Sequence, residues 1–381
     1  MKIAMVSLFP EQPNLFRGGV EAVAGVLVNA LQAIEKVHIH VIAPFSGIAP
    51  TTEVRDGVTV HWLPRGRLPG FIGYWTLFRR RVHALLKNIQ PDITHFQGYA
   101  GWTLRYDRPY VLTIHGIAEK DVDHHGGPFI RARKTVFAMV ERMGRRKSLH
   151  TIVINPYVLS QIGSQVLGKR HFIENPIDCD VFETQHLCQC PRVLYVGRIN
   201  KRKNVEGLIE AFALLKILSP QATLHVAGVA DSTIYFEQCR RLVAERGLQE
   251  SVHFLGNLDR KAVLNELSRA ACLVLLSQQE TAPIIVGEAM AARVPVVATG
   301  LCGLPYMVED GRSGFLVDLN NIGQIAEKIH LVLSSSQMAA AMGERAHQIA
   351  LSRFHAYDVA RRTFLLYEEI LNGWARERLA D

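Results

Sequence analysis

The stretch QQETAPIIVGEAMAARVPVVAT, Gln278–Thr299, places two carboxylates, Glu280 and Glu288, among residues that are otherwise apolar or small. It follows CLVLLSQ, an apolar run of strand length. Pro283 suits the first position of a helix, where its missing N–H costs nothing and its φ is already set. The stretch therefore reads as the exit of a buried strand, a short loop carrying Glu280, and a helix PIIVGEAMAA with Glu288 about one and a half turns in. Strand followed by helix is the unit of an α/β sheet. Ligands bind such sheets beyond the carboxyl ends of the strands, where helix N-termini point and favour anions. A carboxylate on that loop is well placed to accept hydrogen bonds from sugar hydroxyls. Two carboxylates about 5–9.5 Å apart across one bond would suit a glycosidase instead. The spacing does not forbid this, but the phosphate-binding features that follow would then have no purpose.

Outward from that stretch the same grammar repeats. KIAMVSLF, VHIHVIAP, DITHF, YVLTIHG and TIVINP are strand candidates in the first half, and GGVEAVAGVLVNALQAI shows helical spacing. After a looser segment the pattern restarts with RVLYVGRI, a helix NVEGLIEAFALLKIL, then ATLHVAG, VHFLGNL and CLVLLSQ with helices between them. Strands alternating with helices predict parallel sheets covered on both faces. The two series predict two doubly wound domains, at 1–174 and 191–357, with a linker over 175–190 and a closing helix at about 358–381.

The chain has 381 residues, 48% hydrophobic and 20% charged, enough for two ordinary globular domains. MKIAMVSLFPEQ has too short an apolar run for a signal peptide, and no run approaches a membrane span. The expectation is a cytoplasmic protein with its six cysteines reduced. Cys179, His186, Cys188 and Cys190 match no zinc spacing and read as linker thiols. Asp121, Asp123, His124 and His125 read as a polar loop, so no metal is expected.

The net charge of +8 is uneven: residues 1–190 carry 22 Lys and Arg against 15 Asp and Glu, and the remainder 21 against 20. Basic runs at Arg65–Lys87 and Arg131–Lys147 are interleaved with Phe71, Trp75, Phe78, Phe129 and Phe137. They are either solvated helix faces or a surface for anionic lipid or nucleic acid. Two turns at the expected ligand edges add to the picture. Gly18 and Gly19 precede the first helix but form neither the dinucleotide fingerprint nor the P-loop. Arg198 and Lys203 flank the turn after the first strand of the second series, where Arg offers a planar fork to phosphate and Lys a point charge.

Together these residues resemble the retaining nucleotide-sugar glycosyltransferases of family four, which include glycogen-synthase-like and mannosyltransferase-like enzymes. ETAPIIVGEAMAARVPVVAT is similar to the family's E-x7-E motif at Glu280, Pro283, Glu288, Ala289, Pro295, Val296 and Val297. VGRINKRKN resembles its Arg/Lys pair, and ENPIDCDVF its N-G-V-D-x-x-x-F segment at Asn175, Asp178 and Phe182. TIHG at His115 and GGVE resemble elements of its first domain. Thr281 and Arg293 stand where the family often has glycine.

The resemblance implies the GT-B architecture, two Rossmann-like domains facing across a cleft, the second holding a nucleotide-diphosphate sugar and the first an acceptor. It implies a diphosphate bound by Arg198 and Lys203, sugar hydroxyls on Glu280, ribose on Glu288 and the donor sugar near His115. Further donor contacts are implied at Gly18, Gly19, Gly256, Thr281, Ala282, Pro283 and Ile284. No cofactor is implied beyond the nucleotide sugar as co-substrate. The expected partners are that donor, a glycan or lipid-linked acceptor and an anionic membrane surface on the inner face. The alternatives are a nucleotide-sugar epimerase or glycan phosphorylase on the same architecture, or a nucleic-acid-binding protein. No nucleic-acid motif supports the last.

Overall fold

A buried parallel sheet needs helices on both faces to cover its apolar strands, and the chain builds two such sheets. The computed structural model describes residues 1–12, 18–65, 74–117, 130–187 and 190–380. It divides into unit 1, residues 1–176 with 356–381, and unit 2, residues 177–355. The segment read from the sequence as a linker therefore belongs to unit 2 from Ile177 onward.

Unit 1 holds strands β1 (Lys2–Val6), β2 (His38–Phe45), β3 (Thr51–Arg55), β4 (Val58–Pro64), β5 (Ile93–Gln97), β6 (Tyr110–Ile114), β7 (His150–Val153) and β8 (Lys169–Phe172). Their order is β3-β4-β2-β1-β5-β6-β7-β8, parallel except for β3. Its helices are α1 (Gly19–Gln32), α2 (Arg79–Ile89), α3 (Ile130–Lys147) and α4 (Pro156–Ile162). The β3–β4 hairpin escapes a search for apolar alternation because β3, TTEVR, is almost wholly exposed. Its signal is the turn: Asp56 and Gly57 both have positive φ, 49° and 80°. That is the conformation an Asp-Gly pair favours between paired strands.

Unit 2 holds α5 (Cys179–Phe182), α6 (Val205–Leu218), α7 (Thr233–Glu245), α8 (Arg260–Arg269), α9 (Ile284–Ala291), α10 (Ile322–Ser334) and α11 (Ser336–Phe354). Its strands are β9 (Arg192–Val196), β10 (Thr223–Ala227), β11 (Val252–Gly256), β12 (Cys272–Leu275), β13 (Val296–Thr299) and β14 (Gly314–Val317). The sheet is all parallel in the order β11-β10-β9-β12-β13-β14. Strand order reverses between β9 and β12, so a crevice opens there beyond their carboxyl ends. The helices form for local reasons. In α6, Asn204 caps the N-terminus by accepting the Gly207 N–H at 3.3 Å, and Leu208, Ile209, Phe212 and Leu215 bury one face. Each such side chain contributes about 1.5–3 kcal/mol by leaving water. Helix α9 is buried over Val286–Ala291. Gly287 lets it lie against Ile177, whose Cδ1 would be 2.8 Å from an added Cβ.

The closing helix α12 (Ala356–Ala380) belongs to unit 1 and packs on α1. Tyr367 fixes it: its hydroxyl meets His95 Nδ1 at 2.6 Å, and His95 Nε2 meets Thr113 Oγ1 at 2.6 Å. All three side chains are buried. Burial pushes the His95 pKa down to about 3 and the Tyr367 phenol upward.

Because the folded His95 has a lowered pKa, its contribution is complete above the unfolded value of about 6.5. It is lost as pH falls from there toward 3. Urea titrations at pH 7.5 and 5.5 should show the wild type losing about 1.4 kcal/mol more than His95→Gln does. An equal loss in both proteins would contradict this assignment.

Candidate functional site

The residues singled out in unit 2 collect at the carboxyl edge of its sheet, around the reversal between β9 and β12. Glycine stands at or just beyond the carboxyl end of three strands of this sheet: Gly197 after β9, Gly228 after β10 and Gly256 at the end of β11. Gly228 has φ of 141°, and a Cβ on it would stand 1.8 Å from the Gly197 carbonyl oxygen. Gly256 has φ of 68° with nothing within 4 Å of where a Cβ would be. Gly228 is thus packed against the Gly197 backbone, whereas the backbone at Gly256 has open space beside it.

Arg198 leaves β9 on a loop supported from below by Tyr195, whose buried hydroxyl donates to the Arg198 carbonyl oxygen at 2.7 Å. The Arg198 side chain is exposed and ion-paired with Asp231, which also accepts from Asn200 at 2.6 Å. Burial opposes ionisation of Asp231, but the hydrogen bonds from Arg198 and Asn200 hold its carboxyl below the ordinary range. Lys203 closes a single 3₁₀ turn, Lys201–Lys203, capped by Asn200 Oδ1, which accepts the Lys203 N–H at 3.0 Å.

The β12–α9 loop is stitched to that turn. Lys203 Nζ donates to Glu280, and Arg202 lies 3.7 Å from the same carboxylate. Arg202 donates to the Gln279 carbonyl oxygen at 2.7 Å, and the Gln278 N–H donates to the Arg202 carbonyl oxygen at 2.8 Å. Glu280 is buried, and Thr281, Ala282, Pro283 and Ile284 are half-buried. Pro283 is the N-cap of α9 and not its first helical residue, because its ψ of 125° is extended. Glu288 is 7% exposed and ion-paired with Arg260, the first residue of α8. The other Arg260 nitrogen lies 3.5 Å from Asp180. Arg293 adopts φ of 60° just beyond α9, which explains why glycine suits that position. An ion pair to Glu344 at 3.0 Å accompanies it here.

In unit 1, Gly18 caps α1 in an extended conformation with no atom within 4 Å of an added Cβ, and Gly19 is the first helical residue. His115 follows β6. Its Nδ1 lies 3.1 Å from Asn175 Oδ1 and its Nε2 2.9 Å from Gln97 Oε1. Burial drops its pKa to about 4 against the opposing Asn175 hydrogen bond, so at neutral pH it is an uncharged imidazole and not an imidazolium.

Sequence reasoning missed Arg202, Asp231, Asp180 and Arg260. Arg260 did leave a signal: a cation in the first turn of a helix opposes the macrodipole and implies a carboxylate nearby. Among the described residues no group of three His, Cys, Asp or Glu could hold a metal ion. Asp121, Asp123, His124, His125 and Cys188 lie outside the described residues.

Two family models match the chain: Glycosyltransferase Family 4 over residues 17–181 and Glycosyl transferases group 1 over residues 184–349. A D-inositol 3-phosphate glycosyltransferase of Mycolicibacterium smegmatis is 32% identical across 87% of this chain and 83% of its own length. An N-acetyl-alpha-D-glucosaminyl L-malate synthase of Bacillus anthracis is 24% identical across 56% of this chain. The chain spans about half the length of that relative, 53%. Among solved structures, sucrose-phosphate synthase of Thermosynechococcus elongatus superposes with a TM-score of 0.83 at 22% identity, covering 98% of this chain and 99% of that one. The Anabaena protein HepE, in complex with UDP and glucose, gives 0.71 at 18%, covering 97% and 100%. The likeness is one of fold, and that fold is GT-B.

The glycine edge is testable by itself. Gly228→Ala drives a Cβ into backbone and should cost unit 2 more than about 3 kcal/mol. Gly247→Ala, also at positive φ but with open space around it, should cost only about 1–2 kcal/mol. Urea denaturation of the two variants measures the difference.

Proposed function

The chain belongs to glycosyltransferase family 4, and we propose that it is a retaining enzyme moving a sugar from a nucleotide-diphosphate donor to a glycan or lipid-linked acceptor without a metal ion. One observation supports this above the rest. At the strand-order reversal of unit 2, Arg202 and Lys203 sit on one 3₁₀ turn against the loop that carries Glu280 and leads into α9, and Arg198, on the same connection after β9, is exposed and paired with Asp231.

In this reading the diphosphate takes hydrogen bonds from Arg198 and Lys203. When the glycosidic carbon–oxygen bond breaks, negative charge grows on the leaving diphosphate, and cations already in place stabilise it as it forms. That is the service a divalent ion would otherwise supply. The diphosphate displaces Asp231 from Arg198, anion for anion. Glu280, held by Lys203, accepts from sugar hydroxyls. Glu288 accepts from the ribose. Gly256, Thr281, Ala282, Pro283 and Ile284 let backbone approach the donor.

The membrane part of the reading rests on α3. Its exposed residues include Val136, Met139 and Met143 with Arg142, Arg146 and Lys147. Its one acid, Glu141, is buried and accepts the Ala100 and Gly101 N–H groups at 2.9 and 3.0 Å. An apolar stripe whose described exposed charges are cations suits an anionic lipid surface. The aromatics expected to insert do not serve: Phe78 and Phe137 are buried, Phe78 tilted against Trp102 and Phe137 edge-on to Tyr99. Phe71 and Phe129, and the Trp75 side chain, lie outside what is described. Arg81 is tied to the Pro64 carbonyl oxygen at 2.5 Å, which leaves Arg80 as the exposed arginine of the Arg79–Arg81 run. No helix among the described residues is long and apolar enough to cross a membrane.

Thermal-shift measurements with UDP, GDP and ADP and their sugars identify the donor, because a ligand of the folded state raises its stability. With that donor, Arg198→Ala and Lys203→Ala should each lose about 2.7–4 kcal/mol of transition-state stabilisation, while excess EDTA leaves wild-type turnover unchanged. Wild-type turnover in either variant refutes the roles given to the pair.

Membrane attachment has its own measurement. Co-sedimentation with anionic vesicles should fade with salt and fall when Arg142, Arg146 and Lys147 become Ser, or when Met139 becomes Asp. Equal binding to neutral and anionic vesicles at low salt counts against it.

A further inference from the structure

We propose that Arg260 is a positioning residue for recognition of the donor's ribose, acting through Glu288; this rests on the nucleotide-sugar reading above. Glu288 sits in the middle of an apolar helix and is 7% exposed. A carboxylate so placed is costly to ionise and free to rotate unless a cation fixes it. Arg260 supplies that cation, its Nη1 pairing with the Glu288 Oε1. One carboxylate oxygen is thereby committed, which restricts rotation of the group and leaves the other oxygen as the acceptor this proposal assigns to the ribose. Two vicinal hydroxyls need such a fixed acceptor; a rotating carboxylate would not distinguish a ribose from its 2′-deoxy form.

The placement of Arg260 runs against the preference of its own helix. It is the first residue of α8, where the helix dipole disfavours a cation, and it is 14% exposed. Its second nitrogen reaches Asp180, and Asp178 also faces it, so the guanidinium is held from α9 on one side and from the start of unit 2 on the other. Burial alone would favour loss of its proton, but Glu288, Asp180 and Asp178 keep it charged. The pair also cancels the Glu288 charge before a diphosphate arrives, so that the ribose-side carboxylate does not repel the phosphate-side anion. Arg260 touches no reacting atom in this scheme.

The experiment compares binding of UDP, GDP and ADP with their 2′-deoxy forms by calorimetry, in the wild type, Arg260→Met, Arg260→Lys and Glu288→Gln. The wild type should prefer its ribonucleotide at least tenfold. Arg260→Met and Glu288→Gln should each reduce that preference to within twofold, and Arg260→Lys should retain at least threefold. In turnover assays Arg260→Met should raise the donor KM tenfold or more, with kcat changed less than threefold. A tenfold ribose preference surviving in Arg260→Met overturns the proposal. If that variant does not fold, Arg260→Gln read against the same nucleotide pairs decides by the same criterion. A wild type that binds none of the three diphosphates overturns the nucleotide-sugar reading instead. A wild type that binds ribo and deoxy forms equally overturns the proposal while leaving that reading intact.

Discussion

A carboxylate cannot be placed at the apolar edge of a parallel sheet unless a cation meets it there. Unit 2 does this three times, pairing Glu280 with Lys203, Glu288 with Arg260 and Asp231 with Arg198. Taking both ions from water costs several kcal/mol each, and close approach with further hydrogen bonds is needed to offset it. The requirement dictates where loops lie. The β12–α9 loop is tied to the turn after β9 through both side chains and backbone, and the start of α8 is held against α9. The loops of this edge are therefore not free to drift.

The three pairs differ in exposure, and the difference has a chemical meaning. Arg198 is 53% exposed and its partner Asp231 33%, whereas Lys203 and Glu280 are 12% and 9%. Exposed ion pairs are worth little and exchange partners easily. In the function proposed above, an incoming diphosphate takes Arg198 from Asp231 at small cost, while the buried pairs stay as fixed architecture. The same edge thus contains one pair that yields and two that hold.

Unit 1 spends its charge differently. Of the basic residues that give the first half its surplus, Arg145 is buried beside Glu141 and Arg81 is tied to a carbonyl oxygen. Formal charge is therefore a poor map of the surface field. What remains outward on α3 is a short run of cations around Val136, Met139 and Met143. The sheet itself is locked to the closing helix by His95 and Tyr367, a contact between residues 272 positions apart.

The two sheets were legible because a parallel α/β fold writes each strand as a continuous apolar run and each helix as a 3.6-residue stripe, and both periods are local. The exposed β3 strand was not, since TTEVR buries nothing. The chain's own residues likewise determined which side chains the turns at the carboxyl edge of the sheet would carry: Arg198, Lys203, Glu280 and Glu288 follow from strand, loop and helix in order. Their partners were decided only by the tertiary structure. Arg260 lies 28 positions from Glu288, Asp231 lies 33 from Arg198, and Lys203 lies 77 from Glu280. No local pattern links them, because an ion pair is chosen by distance in space. That distance is set only once the sheet has placed the ends of β11, β10, β9 and β12 in that order along one edge.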